Sequence, residues 1–242
     1  MRVMGRARPG GASSDDAASL RIQDLADAFQ DRVLELMLSG DPRVEHLGSW
    51  YEAHDFIARR AVDVRHSLWN MQSRIGASGQ REGQRIAESI TMPPDVRMVV
   101  PPAVVHRSPL IGPLNPWLRV GWVPLAFMIT DGKHAFLAGF RGTATADTIW
   151  ESRDPAIIAE GERLFTAVHD ASRPWEEVSP YGPLPERRLA VARLLCDGAN
   201  DREIAEALGA STRTVSAEVR AVVEWVGARS RTHAIALLSA NG

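Results

Sequence analysis

The chain is poor in the residues that carry covalent and metal chemistry. Its only cysteine is Cys196, so no internal disulfide can form. Its only lysine is Lys133 among 28 basic residues, so arginine is the general cation of this chain and cannot by itself mark a site. The formal net charge is −2, which excludes a global basic field; any nucleic-acid footprint must be local. Residues 183–242 carry eight arginines against seven acids. The longest apolar run, around Val120 to Ile129, is too short to span a bilayer. The N-terminus M-R-V-M-G-R-A-R-P-G-G lacks the apolar segment of a secretory signal, so a cytoplasmic location without membrane contact is expected. The seven histidines show no i, i+4 pair, and no second cysteine joins them, so no metal is expected. There is no G-x-x-x-x-G-K-[ST] loop and no G-x-G-x-x-G after a strand, so no cofactor is expected either.

What the chain does have is concentrated between Gly198 and Arg231. Asn200 can cap a short helix, and Glu203, three residues on, completes a capping box. Ile204, Ala205 and Leu208 form the inner side of that helix, and Gly209 stops it. Ser211 caps a second helix. Its apolar residues Val215, Val219, Val222, Val223 and Val226 fall on one helical stripe, and Gly227 ends it. Helix, tight turn and longer amphipathic helix make a helix-turn-helix. Opposite the valines, Arg213, Ser216, Ala217 and Arg220 share an outward side. Small or hydrogen-bonding residues near a helix N-terminus, followed by arginine, suit a major groove.

The pattern G-x-x-x-x-E-I-A-x-x-L-x-x-S-x-x-T-V, with a later G-x-x-S-R, resembles the DNA-binding domain of LuxR-type bacterial transcription regulators over residues 182–241. The resemblance implies an all-α domain of four helices at residues 183–242. Its third helix, about 212–226, would enter the major groove, and its fourth, about 230–239, would support a homodimer. It implies that Ser216, Ala217 and Arg220 face bases of double-stranded DNA, with Thr212, Arg213 and Thr214 near the phosphate backbone. RNA polymerase is a candidate protein partner of such a regulator. Three positions depart from the pattern. Arg188 stands where an acid is usual, Glu218 where histidine is usual, and Trp225 where a basic residue is usual. On charge alone, losing the basic residue and placing Glu218 and Glu224 on this helix weaken attraction to phosphate. An interaction module with reduced DNA affinity is therefore the alternative reading.

Upstream, residues 1–18 are rich in Gly, Ser, Asp and Arg and are expected to be a disordered tail. Leu20 to Leu38 repeats apolar residues at helical spacing, up to Gly40 and Pro42. A helix at 49–62, with Trp50, Phe56, Ile57 and Ala61 inward, precedes strands at 64–71 and 96–100. A turn at 76–80 and a helix at 81–90 between those strands suggest a βαβ unit. Residues 103–117 read as an irregular loop, followed by a short strand at 118–122. The apolar runs 125–130 and 135–140 flank Asp131-Gly132, a hairpin signal. A strand at 148–150, a helix at 155–172 and a proline-bearing linker at 173–182 complete the reading. Residues 19–172 thus form an α/β domain, a mixed sheet flanked by helices. Trp117, Trp122 and Phe127 are candidates for an apolar ligand pocket or for core, and Trp69 and Trp150 for core.

The segments A-R-R-A-V, V-P-L-A-F-M-I-T-D with A-F-L, and L-F-x-x-V-H-D-A-S-R-P make residues 55–176 resemble the TrmB-type regulators and the phospholipase D-like fold. Enzymes of that fold need H-x-K-x-x-x-x-D, in which histidine is the nucleophile. The residue two before Lys133 is Asp131, not histidine, so no catalytic residue and no enzyme activity are expected. A small-molecule effector or protein partner of the α/β domain is the remaining role. An acyl-homoserine-lactone receptor would share the C-terminal domain, but its Trp/Tyr/Asp arrangement is not evident around Trp50-Tyr51.

Overall fold

The computed structural model describes residues 14–75 and 91–239. The N-terminal domain is a mixed sheet flanked by helices, and the C-terminal domain is all helical. Among the described residues no helix is long and apolar enough to cross a membrane.

Helix α1, Ser14–Ser39, buries Ile22, Phe29, Val33, Leu36 and Met37 of the stripe its spacing predicts, with Ala26 beside them, whereas Leu20 and Leu25 of that stripe are exposed. It starts before residue 18, so the expected tail shortens; residues 1–13 lie outside the described residues. Strand β1, Val44–Ser49, was not expected, because its residues V-E-H-L-G-S show no sustained alternation. Antiparallel pairing with a later strand and a bulge between His46 and Gly48 create it. Ser49 then caps α2, Trp50–Ala61, through a capping box with Glu52. Ala53 and Ala61 are its buried residues, whereas Trp50, expected inward, is exposed.

Strands β2, Ser67–Met71, and β3, Asp95–Val100, pair in parallel, as a βαβ unit requires. The turn and helix expected at 76–90 lie outside the described residues. The segment expected to be an irregular loop instead holds α3, Pro102–Arg107, and the single turn α4, Ile111–Leu114. Pro102 sits at the first helical position, where its fixed φ favours a helix, and burial of Val104, Val105 and Ile111 supplies the rest. Strands β4, Leu118–Val120, β5, Phe127–Thr130, β6, His134–Ala138, and β7, Thr148–Ser152, follow. Helix α5, Pro155–Ala171, is capped by Asp154, and β8 is the pair Arg173–Pro174.

Among the described residues the strands form one sheet of order β1-β7-β6-β5-β2-β3-β4-β8. Helices α1 and α5 bury one face, with Phe29, Phe127 and Phe165 at the centre. On the other face α3 and α4 pack over Val100, Leu118 and Val120, and Phe56 of α2 meets Phe136 edge-on. That face also buries the Glu151 side chain. Burial pushes its carboxyl up, but hydrogen bonds from Arg153 and His134 outweigh this and hold it below the ordinary value.

The β5–β6 turn is left-handed at Asp131 and Gly132, with φ of 53° and 60°. The Asp131 carboxylate accepts the backbone N–H groups of Arg65, His66 and Ser67 at 3.0, 2.7 and 2.9 Å. Burial opposes its ionisation, but these three donors win and lower its pKa. Asp131→Ala should cost about 1–3 kcal/mol, because three donors lose their acceptor, and should move the urea midpoint at constant slope. The native pKa lies below the unfolded one, so the carboxylate's contribution is complete above the unfolded value. It is lost as pH falls through the native value, and the acid limb of the stability curve should flatten in Asp131→Ala.

Candidate nucleic-acid interface

Four helices build the C-terminal domain: α6, Glu186–Cys196, α7, Asp201–Ala207, α8, Thr212–Trp225, and α9, Arg231–Ser239. The caps are those read from the sequence. Asn200 accepts from Arg202 and Glu203 N–H, and the Glu203 carboxylate accepts Asn200 N–H at 2.7 Å. Ser211 accepts Thr214 N–H at 3.1 Å. Gly209, at φ 58°, makes the left-handed turn between α7 and α8 that a side chain would strain. Val191, Leu195, Ile204, Val215, Val222 and Leu238 form the centre of the core, whereas Leu208, Val223 and Cys196 are only half-buried.

The apolar side of α8 is thus turned inward, and its other side faces solvent. Thr212, Arg213, Ser216, Ala217 and Arg220 are all exposed on it. Thr214 is half-buried, and its hydroxyl is 2.8 Å from the Ser211 hydroxyl, so it belongs to the helix cap. The Ser216 hydroxyl donates to Asp201 at 2.7 Å, which leaves its oxygen free only as an acceptor.

Asp201 is the residue that sequence reasoning missed. Its carboxylate accepts from Ser216 of α8 and from the Arg231 guanidinium at the start of α9. Arg231 also donates to the Ala199 carbonyl at 2.6 Å. One carboxylate therefore joins three helices. The hydrogen bond from Ser216 and the Arg231 charge, against a smaller cost of burial, hold its pKa below the ordinary value. The G-x-x-S-R signature already contained Arg231, but only the folded chain supplies its partner.

Two of the three residues that depart from the LuxR-type pattern are partners of each other. Arg188 of α6 donates to Glu218 of α8 at 3.0 Å, and both side chains are largely shielded. Trp225 packs against Tyr181 with the rings tilted by 44° and their centres 5.5 Å apart, and its Nε1 donates to the Gly182 carbonyl at 3.0 Å. Glu218 therefore does not present a bare charge, and Trp225 fastens the entry of the chain into this domain.

In the N-terminal domain the residues marked from sequence do not converge. Phe127 is in the core, Trp122 is 48% exposed, and Trp117 lines a surface cleft, so the expected apolar pocket is not assembled. Trp122 and Phe127 are separated by the start of β5, and only the strand residue turns into the core. Trp69 and Trp150 are half-buried against the core's edge, Trp69 stacking on Phe165 at 5.3 Å. Among the described residues no group of three His, Cys, Asp or Glu side chains is placed to hold a metal ion.

Residues 183–224 match the family model described as a homeodomain-like domain, of the helix-turn-helix kind. No curated protein matches the chain. Among solved structures it is similar to NucT from Helicobacter pylori, at 14% identity and a TM-score of 0.41, over 54% of this chain and 98% of that one. It is also similar to TrmBL2, an archaeal chromatin protein, at 12% and 0.38, over 64% and 66%. Nuc from Salmonella typhimurium, a phospholipase D family member, gives 12% and 0.38, over 54% and 95%. These scores are too low to bear on what this chain does.

The paired departures should be thermodynamically coupled. A double-mutant cycle on Arg188→Ala and Glu218→Ala should return about 0.5–1 kcal/mol of coupling in urea unfolding. Trp225→Phe keeps the ring on Tyr181 and should cost about 1 kcal/mol for the lost hydrogen bond. A cycle with no coupling would show the ion pair to be energetically idle.

Proposed function

We propose that this chain is a sequence-specific transcription regulator of the LuxR type, without enzymatic activity. Its C-terminal domain binds double-stranded DNA as a homodimer on a two-fold symmetric site. The observation that supports this best is the exposed side of α8. Arg213, Ser216, Ala217 and Arg220 lie together there, clear of the core, on a helix whose inward side is fully committed to packing. Ser216, Ala217 and Arg220 are the residues assigned to bases, and Thr212, Arg213 and the capping Thr214 those assigned to the backbone. Of the two acids on α8 that oppose phosphate, Glu218 and Glu224, Glu218 is paired with Arg188, so its electrostatic cost falls to that of a screened ion pair. The α/β domain is the regulatory part, responding to a small molecule or a protein. The N-terminal domain offers no histidine nucleophile with a phosphate-binding lysine of the H-x-K kind, since Lys133 follows the Asp131–Gly132 turn and carries no histidine two residues before it.

Binding of the full chain to genomic and random DNA fragments at two salt concentrations tests the reading. Affinity should fall steeply with salt, and a specific fragment should stand out above the random background. Arg220→Ala should cost about 1–3 kcal/mol on the specific fragment and far less on random DNA. Absence of binding at low salt would sink the proposal and leave an interaction module.

A further inference from the structure

The open part of the sheet beside α5 carries a cleft that the regulator reading leaves without a ligand. Its volume is about 440 Å³. Arg97 of β3 and Arg119 of β4 line it, with His169 near the end of α5. Trp117 and Pro174 supply apolar walls, and two carboxylates, Asp95 and Glu176, line it as well. The two arginines differ in their partners. Arg97 lies over the Trp69 ring at 4.4 Å and its Nε donates to Asp95, which neutralises it. Arg119 makes no ion pair among the described residues. Its Nε and one terminal nitrogen donate instead to the Ser172 carbonyl, a neutral acceptor. This holds the guanidinium in one orientation and leaves its charge, and further N–H donors, uncompensated. Burial of His169, whose side chain is only 18% exposed, lowers its pKa together with the charges of Arg119 and Arg97, against the hydrogen bond and charge of Asp170, which raise it. A fixed, half-buried cation beside an aromatic wall has the chemistry of a receptor for an anion with an apolar body.

We propose that this cleft binds a small carboxylate- or phosphate-bearing molecule with an aromatic or aliphatic body, its anionic group on Arg119 and its body against Trp117. The inference rests on the regulator reading for its consequence but not for the binding itself. Arg119 holds the carbonyl of Ser172, and Pro174 and Glu176 of the cleft wall belong to the segment that leads into the helix-turn-helix. An anion on Arg119 competes with the Ser172 carbonyl and reaches that segment directly. The cleft is therefore an effector site whose occupancy changes DNA affinity through residues 172–182.

The test uses the full chain and two probes, benzoate for the carboxylate and phenyl phosphate for the phosphate, with inorganic phosphate as the reference anion. Binding is followed by proton NMR of the His169 ring, assigned by its absence in His169→Gln. At least one aromatic probe should move that resonance saturably, at a concentration tenfold below inorganic phosphate. Arg119→Gln should weaken the probe at least tenfold. Because Arg119 also holds the backbone, Trp117→Ala is the second variant and should weaken the aromatic probes but not inorganic phosphate. Three results overturn the site: no movement with either probe, unchanged affinity in Arg119→Gln, or inorganic phosphate equal to both aromatic anions. A saturating probe should also change affinity for the specific DNA fragment at least threefold. Probe binding with unchanged DNA affinity removes the effector role. Probe binding by a chain that binds no DNA at all sinks the regulator reading and leaves the cleft.

Discussion

The two domains are joined by one short segment, residues 172–182, fixed at both ends, and by Leu110 and Leu114, which pack into the core of the C-terminal domain. At its start Arg119 holds the Ser172 carbonyl, and Arg173–Pro174 completes the sheet beside β4. The next residue, Trp175, is 2% exposed, packed with Val100, Leu118 and Val120. Its ring lies so close to Gly112 that a Cβ there would stand 2.2 Å from it, so glycine alone admits this packing. At the far end Tyr181 and Gly182 are held by Trp225. The sequence of this segment, with its prolines, reads as a linker. Its conformation is that of a strap, because an aromatic residue in it is worth more buried than solvated.

That constraint also explains why the C-terminal domain tolerates its unusual residues. Trp225 reaches the Gly182 carbonyl and the Tyr181 ring. Glu218 of α8 is an acid, and Arg188 of α6 stands opposite it. Each change looks costly when read alone along the chain. In the folded domain the two charges cancel, and the indole serves the strap. The Asp201 carboxylate is used in the same economical way, orienting Ser216 and anchoring Arg231 at once.

Features governed by local chemistry were legible without coordinates. The Asn200–Glu203 capping box, the Ser211 cap and the valine stripe of α8 all lie within one or two turns of the residues that define them. The same holds for the stripe of α1, the α5 helix and the Asp131–Gly132 turn. Features that depend on a distant partner were not. Strand β1 exists through pairing with β7, about a hundred residues away, and α3 and α4 exist because one side of each is buried. The aromatic residues Trp117, Trp122 and Phe127 divide between the readings open to them: Phe127 is core, Trp122 is exposed and Trp117 lines a cleft, because nearness in sequence does not decide which side chains converge in space.

The sequence by itself therefore determined the secondary structure of the C-terminal domain, the side of α8 that is exposed and the hairpin of the sheet. Caps, periodicity and turn chemistry act over a few residues, and the chain carries them in its order. Only the tertiary structure decided which charges are paired and whether the linker is free. It also decided where Arg119 comes to rest beside Trp117 and His169. Each of these depends on side chains far apart in the chain, and what fixes them is the competition for burial and for hydrogen-bond partners across the whole fold.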